Sequence, residues 1–264
     1  MKLSLSSSVT DSIKQSAQLA EELGLGIEIS RFPNFRNIDS NLDEIIMSLQ
    51  KSLLGFTNNI TLHGMFFDQS IASNDPAIKE VSQRRHRQSF KTAKAIGANI
   101  LVFHSGHKGM KHKVSFEKFR DNSIIFWKEF IKEFEDSGIT AVIENVLERH
   151  PQLLLDIINE VNSPFLKFSL DTGHANLFSE IPVSDWIKLY GKKLHHMHIH
   201  NNYGDDDSHN SLTDGTVDFI EIFTTLKELS IKPTIIFEMF KKDNLYTSLE
   251  YFNKNYGEKL CLEK

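Results

Sequence analysis

Six short apolar segments of the chain each carry, at or within two residues of their end, a side chain able to bind a metal ion: His63, His104, Glu144, Asp171, His200 and Glu238. Two adjoining stretches add three more donors. These are His174 in Asp171-Thr-Gly-His174, and Asp207 and His209 in Asp207-Ser-His209. Imidazole mixed with carboxylate suits zinc, manganese or ferrous iron better than calcium or magnesium. Nine donors exceed the needs of one ion, so the set could hold two or three ions, or one ion with the remaining groups free for substrate. Taken singly, each donor has an ordinary reading. A histidine at a strand end can be a neutral, hydrogen-bonded residue, an aspartate there can cap the next helix, and Asp205–Asp207 can be a solvated loop. Taken together they read as a metal site, because four carboxylates gathered in one place are costly without cations.

The donors lie at the ends of strand candidates that alternate with amphipathic segments. The strands read as 2–8, 25–30, 58–63, 99–105, 139–146, 165–171, 194–201 and 233–239. The helices read as 12–23, 41–54, 76–96, 116–137, 151–161, 183–190, 218–229 and 245–256. Gly24, Gly97 and Gly138 precede strands, where a helix cap needs a left-handed residue. Pro76 and Pro151 suit a first helical turn. Eight strand–helix units predict a single (β/α)8 TIM barrel over residues 1–264, although an open doubly wound sheet shares the alternation. Side-chain parity supports the barrel. One phase of the strands is apolar throughout: Leu3 and Leu5, Ile27 and Ile29, Ile60 and Leu62, Leu101 and Phe103, Ala141 and Ile143, Phe168 and Leu170, Met197 and Ile199, Ile235 and Phe237. That phase belongs under the helices. The other phase is mostly small or polar and ends in the six donors, as expected of an interior that opens into a site at the strands' C-terminal mouth.

Composition narrows the function. Apolar residues make up 40% of the chain, enough for a sizeable core. Thirty basic against 35 acidic residues give a net charge of −5 with neutral histidines. This argues against an electrostatically driven nucleic-acid binder, though not against a local basic groove. The single cysteine, Cys261, excludes an internal disulfide framework and indicates a reducing compartment. The first residues carry no secretory signal, and no apolar run is long enough to span a membrane. The expected location is cytoplasmic.

Several segments then carry a resemblance. IENV (143–146), SLDTGHANL (169–177), HMHIHNNYGDDDSHNSLTDGTVDF (196–219) and IIFEM (235–239) are the most specific. With ITLHGMFFDQSIASNDP (60–76) and LVFHSGH (101–107), they resemble the xylose isomerase-like TIM-barrel superfamily. It contains sugar and sugar-phosphate isomerases and epimerases, and also endonuclease IV. The resemblance runs from Lys2 to about Tyr256. It implies one divalent ion held by Glu144, Asp171, His200 and Glu238, as in the isomerases. From endonuclease IV, which holds three zinc ions, it implies five further ligands: His63, His104, His174, Asp207 and His209. The implied cofactor is one to three divalent ions, zinc or manganese first. One implied reaction is isomerisation or epimerisation of a sugar or sugar phosphate. A proton next to a carbonyl is removed and returned through an enediolate, with Glu144 and Glu238 as base and acid. The alternative is zinc-dependent phosphodiester hydrolysis at abasic DNA, and a second alternative is a metal-stabilised binding protein without catalysis. Family members are often dimers or tetramers, which implies a homo-oligomer.

Around this set, Glu28 is the inward residue near the end of the second strand, placed to hydrogen-bond sugar hydroxyls or to pair with Lys167. Phe66 and Phe67 follow His63 and could form the apolar wall of a sugar pocket or simply pack. His107, in the stretch 107–113 (HKGMKHK), could hold a substrate phosphate, contact a DNA backbone, or belong to a mobile loop. His196 and His198 share the inward phase with His200 but lie deeper, as structural or supporting residues. For DNA, the nearest candidate for side chains inserted into a duplex is 31–37 (RFPNFRN), more simply a packed loop. The run 83–88 (QRRHRQ) reads as a solvated helix face.

Overall fold

A computed structural model of the chain describes residues 1–30, 38–109 and 113–257. Eight parallel strands pair in chain order and close on themselves, with β1 hydrogen-bonded to β8. They are β1 (Leu3–Ser6), β2 (Gly26–Ile29), β3 (Ile60–His63), β4 (Ile100–His104), β5 (Thr140–Glu144), β6 (Leu166–Asp171), β7 (Leu194–Ile199) and β8 (Thr234–Phe237). The helices between and after them are α1 (Ile13–Leu23), α2 (Ile38–Ser52), α3 (Pro76–Ile96), α4 (Lys113–Phe130), α5 (Gln152–Val161), α6 (Thr172–Phe178), α7 (Val183–Tyr190), α8 (Phe219–Glu228) and α9 (Lys242–Phe252). Closure of the sheet removes the open doubly wound alternative. None of the described helices is long and apolar enough to cross a membrane. Cys261 and the stretch 31–37 lie outside the described residues.

The parity rule accounts for the core. Leu5, Ile27, Leu62, Leu101, Phe103, Ile143, Phe168, Leu170, Met197, Ile199, Ile235 and Phe237 are all fully buried in one apolar cluster with the helices. The opposite phase fills the interior of the barrel. There Ile100, Val102 and Val142 form a small apolar cluster of their own. Ser4, Ser6, Glu28, Thr61, Ser169, His196 and His198 are buried beside them as polar residues. Such an interior survives only if its polar groups bond one another.

Local signals place the helices. Gly24 and Gly97 end α1 and α3 at φ 67° and 73°, and their N–H groups bond back to the last turn. Asp75 caps α3, its Oδ1 accepting from the Ala77 N–H at 2.8 Å, with Pro76 in the first turn. Helix α6 is the element that periodicity does not reveal. At seven residues it is too short to show a helical repeat, and it starts directly where β6 stops.

The run 83–88 on α3 is only partly a solvated face. Arg84 and Arg87 are exposed, but Arg85 is buried against Asp39, with Nη2 donating to Oδ2 at 2.9 Å. His86 is buried as well, its ring stacked on Phe103 at 4.5 Å. Its Nδ1–H donates to the Ser82 carbonyl, and its Nε2 has no partner. Burial lowers the His86 pKa from 6.5 to about 4. Between those values the unfolded chain takes up a proton that the folded chain refuses, so His86 removes stability as pH falls from 6.5 toward 4. His86→Phe keeps a stacked ring and should be more acid-resistant than wild type by about 2.5 kcal/mol near pH ~4.5, relative to their difference near neutrality. Urea unfolding at the two pH values checks this. Parallel loss of stability in both proteins would contradict it.

Candidate metal centre

The C-terminal ends of β3 to β8 bring the predicted donors together. Strand register sets most of the arrangement, with His104 beside Glu144 across β4 and β5, and Asp171 beside His198 across β6 and β7. Glu144 is 1% exposed and lies at the centre. One of its oxygens, Oε2, is 3.2 Å from His63 Nε2 and 3.5 Å from His104 Nε2. The other, Oε1, is 3.3 Å from His174 Nδ1 and 3.2 Å from His198 Nδ1.

The nitrogen that faces three carboxylates belongs to His198, not to His200. His198 Nδ1 lies 3.2 Å from Glu144, 3.3 Å from Glu238 and 3.7 Å from Asp171. The sequence reading extends the seventh strand to residue 201, which makes His200 its last inward residue. In the structure β7 stops at Ile199, and a register shift in the β6–β7 pairing at Phe168/Ser169 sets His198 opposite Asp171. His200 lies just beyond the strand. Its Nε2 is 3.1 Å from Asp171, and its ring stacks on His209 at 3.8 Å. It groups with His209 and Glu238.

Asp207 reaches the cluster from the loop after β7. Its Oδ2 is 3.4 Å from His174 Nε2 and 3.3 Å from His209 Nε2. Its neighbours Asp205 and Asp206 are exposed. Asp171 is both a member of the cluster and the N-cap of α6, its Oδ1 accepting the His174 N–H at 2.7 Å. The capping and site readings of Asp171 are thus compatible. The same cap makes Gly173 obligatory, since a Cβ there would stand 2.0 Å from His200 Cε1. Gly173→Ala is expected to push the His200 ring away from Asp171 and to cost about 3 kcal/mol of stability through overpacking. Thermal unfolding checks this, and a melting temperature equal to wild type would contradict it.

The donor set fits a divalent ion on two grounds. First, His198 Nδ1 is buried among three carboxylates yet makes no hydrogen bond, the situation of a ligand atom. Second, several histidines are held from behind. A backbone carbonyl takes the Nδ1–H of His63 (Gly64, 3.0 Å), His174 (Asn145, 3.1 Å) and His209 (Glu238, 2.8 Å). Each then turns Nε2 toward Glu144 or Asp207. Metal-binding histidines are oriented in this way. Among the described residues, four groups of three donors lie within ligating range of one another: His63–His104–Glu144, Glu144–Asp171–His198, His200–His209–Glu238 and Glu28–His196–His198.

Charge balance points the same way. For Glu144, burial would raise the pKa, but the His198 and His104 charges outweigh it and hold the carboxyl well below its usual range. For His209, burial would lower the pKa, but the Asp207 hydrogen bond and the Glu238 charge raise it to about 9. His174 and His198 are raised well above 6.5, against burial, chiefly by Asp171 and Glu238 respectively. The carboxylates therefore demand positive charge, which protonated histidines or metal ions can supply.

Three expected substrate contacts fall in different places. Glu28 is fully buried below the cluster, and its oxygens accept from His198 Nε2 (2.7 Å), His196 Nε2 (3.0 Å) and Thr61 Oγ1 (3.0 Å). It reaches neither the mouth nor Lys167. Phe66 is half-buried, its ring 4.9 Å from His63 and 4.8 Å from His104, and Phe67 beside it is exposed. They flank the cluster as an apolar surface. His107 is buried between Phe116 and Phe119, and burial lowers its pKa, which leaves it a poor phosphate ligand at neutral pH. The remaining Met110, Lys111 and His112 of its stretch lie outside the described residues. The sequence reading also passed over Glu148, buried with its pKa raised by burial, which accepts the Val146 N–H at 2.7 Å. It passed over Phe240 too, exposed over His209 at 4.1 Å. Glu148 stands four residues after Glu144, and Phe240 two after Glu238, spacings that were available as signals.

The family model of the xylose isomerase-like TIM barrel matches residues 10–255. The chain belongs to this family. Among its relatives, an uncharacterized protein of Methanocaldococcus jannaschii is 28% identical over 220 residues, which cover 78% of this chain and 75% of the relative. L-ribulose 3-epimerase of Methylomonas sp. is 27% identical over 212 residues, 76% of this chain and 71% of the enzyme. Among solved structures, a D-tagatose 3-epimerase-like protein superposes with a TM-score of 0.82 at 25% identity, covering 98% of both chains. Sugar 3-epimerases thus recur among the proteins this family member resembles in sequence and in fold.

Proposed function

We propose that the chain is a divalent-metal-dependent sugar epimerase or isomerase that acts on a small ketose, free or phosphorylated, by proton transfer next to the carbonyl. The observation that carries this reading is the placement of Glu144 and Glu238, each within 3.3 Å of the same His198 nitrogen. Glu144, Asp171, His198 and Glu238 would hold the central ion. When bound, that ion would supply the positive charge that acidifies the C–H beside the carbonyl and stabilises the enediolate. One glutamate then takes the proton, and the other delivers a proton to the opposite face. Phe66 and Phe67 give the apolar side of a pocket for a polyol, and burial of the cluster keeps water from competing.

A second reading, an endonuclease IV-like zinc phosphodiesterase, is supported by the two flanking groups, His63–His104 on Glu144 and His174–Asp207–His209. Those groups would hold two further ions. The net charge of −5 and the exposed Asp205 and Asp206 beside the cluster oppose a polyanion, whose affinity comes from Lys and Arg. The test runs protein loaded with zinc or manganese in D2O against D-tagatose, D-allulose, D-fructose, L-ribulose and their phosphates, and against abasic duplex DNA. The first reading predicts deuterium at C1 (isomerisation) or C3 (3-epimerisation) of at least one ketose and negligible incision. Incision abolished by His104→Ala, with no exchange into any ketose, would reverse the order.

A further inference from the structure

We infer that Glu28, fully buried beneath the metal centre, is a positioning residue that sets which nitrogen of His198 binds the ion. This rests on the proposed metal centre. One oxygen of Glu28 faces His198 Nε2 at 2.7 Å, and the other faces His196 Nε2 at 3.0 Å and Thr61 Oγ1 at 3.0 Å. A carboxylate can only accept here, so each ring must donate from Nε2. For His198 that leaves Nδ1 free of its proton in the metal-bound form. Nδ1 is the atom that points at Glu144, Glu238 and Asp171 and has no hydrogen bond of its own. His196 continues the chain, its Nδ1 accepting from Ser169 Oγ–H at 2.8 Å.

Glu28, His196 and His198 are each 0% exposed, and among the described residues Glu28 pairs with no lysine or arginine. A full negative charge under the barrel floor is costly unless it does something there. Behind a ligating histidine it makes the ring a better donor and fixes its orientation, and loss of such a partner typically weakens metal binding 10- to 100-fold. Glutamine at the same position keeps the shape but replaces one accepting oxygen with a donating NH2. It can no longer accept from both rings through separate oxygens, and it lacks the negative charge that makes the His198 ring a better donor.

Zinc and manganese affinities, measured by competition with a chromophoric chelator, test the inference in wild type, Glu28→Gln and Ser169→Ala. Ser169→Ala removes a hydrogen bond from the same buried chain without touching His198 or Glu28, and so reports a merely structural effect. The inference expects at least a tenfold loss of the tightest site in Glu28→Gln, and less than about threefold in Ser169→Ala. Equal affinities for Glu28→Gln and wild type, or equal losses in both variants, overturn it. A wild-type protein that binds neither metal fails earlier and overturns the metal centre itself, so the two failures are distinguishable. If Glu28→Gln does not accumulate folded, nitrogen-15 spectra of zinc-loaded wild type decide. A proton retained on His198 Nε2 with zinc on Nδ1 supports the inference, and zinc on Nε2 overturns it.

Discussion

Replacing Glu238 with glutamine in the metal-loaded protein is expected to slow exchange of the substrate's C–H proton with solvent by about a thousandfold, the usual worth of a positioned acid or base and equivalent to about 4 kcal/mol of barrier. Glutamine keeps the size of the side chain and one oxygen but can neither take up nor release a proton at neutral pH. The same loss of exchange is expected of Glu144→Gln, with a further consequence. Glu144 lies within ion-pair distance of His63, His104, His174 and His198 at once, whereas Glu238 lies within it of His198 and groups more loosely with His200 and His209. Glu144→Gln should therefore also lose metal, and Glu238→Gln should retain more of it. Deuterium incorporation into the substrate, read by proton NMR alongside metal content, separates the two effects. A Glu238→Gln protein that holds its metal and exchanges at more than a tenth of the wild-type rate would remove Glu238 from proton transfer.

Removing the metal should lower the melting temperature by about 10 °C. An ion that binds only the folded chain stabilises it by mass action, about 4 kcal/mol at a thousandfold excess over its dissociation constant. For a domain of this size that is on the order of 10 °C. The structure explains why the loss would fall on folding rather than on activity alone. Glu144 and Asp171 are at most 1% exposed and end β5 and β6, and Glu238, 9% exposed, directly follows β8. Without an ion, protonated His174, His198 and His209 must balance them. Calorimetry before and after chelation, with metal content verified, measures the effect. An unchanged transition in protein proven to have lost its metal would contradict the assignment.

The sequence by itself determined the architecture. Apolar parity on eight strands, glycine and proline at helix ends, and a donor near the end of six successive strands predict the barrel, and the pairing of β1 with β8 then excludes the open sheet that shares the same alternation. The reason is that strand faces alternate with a period of two, so the core face and the site face can be read off independently. The convergence of the strand-end donors was legible for the same reason, since inward residues at one end of parallel strands must converge, but His198 read only as a deeper supporting residue. What only the tertiary structure decided was which donors share an ion-sized space. That His198 Nδ1, not His200, faces Glu144, Asp171 and Glu238 together follows from where β7 ends and from one register shift against β6, and neither has a signature in local composition. Helix α6 was hidden because seven residues with one capping aspartate carry no period. The place of Glu28 was undecidable from its strand alone. Whether a buried carboxylate meets a sugar, a lysine or two histidines depends on residues nearly 170 positions away, which only the closing of the barrel brings beneath the metal centre.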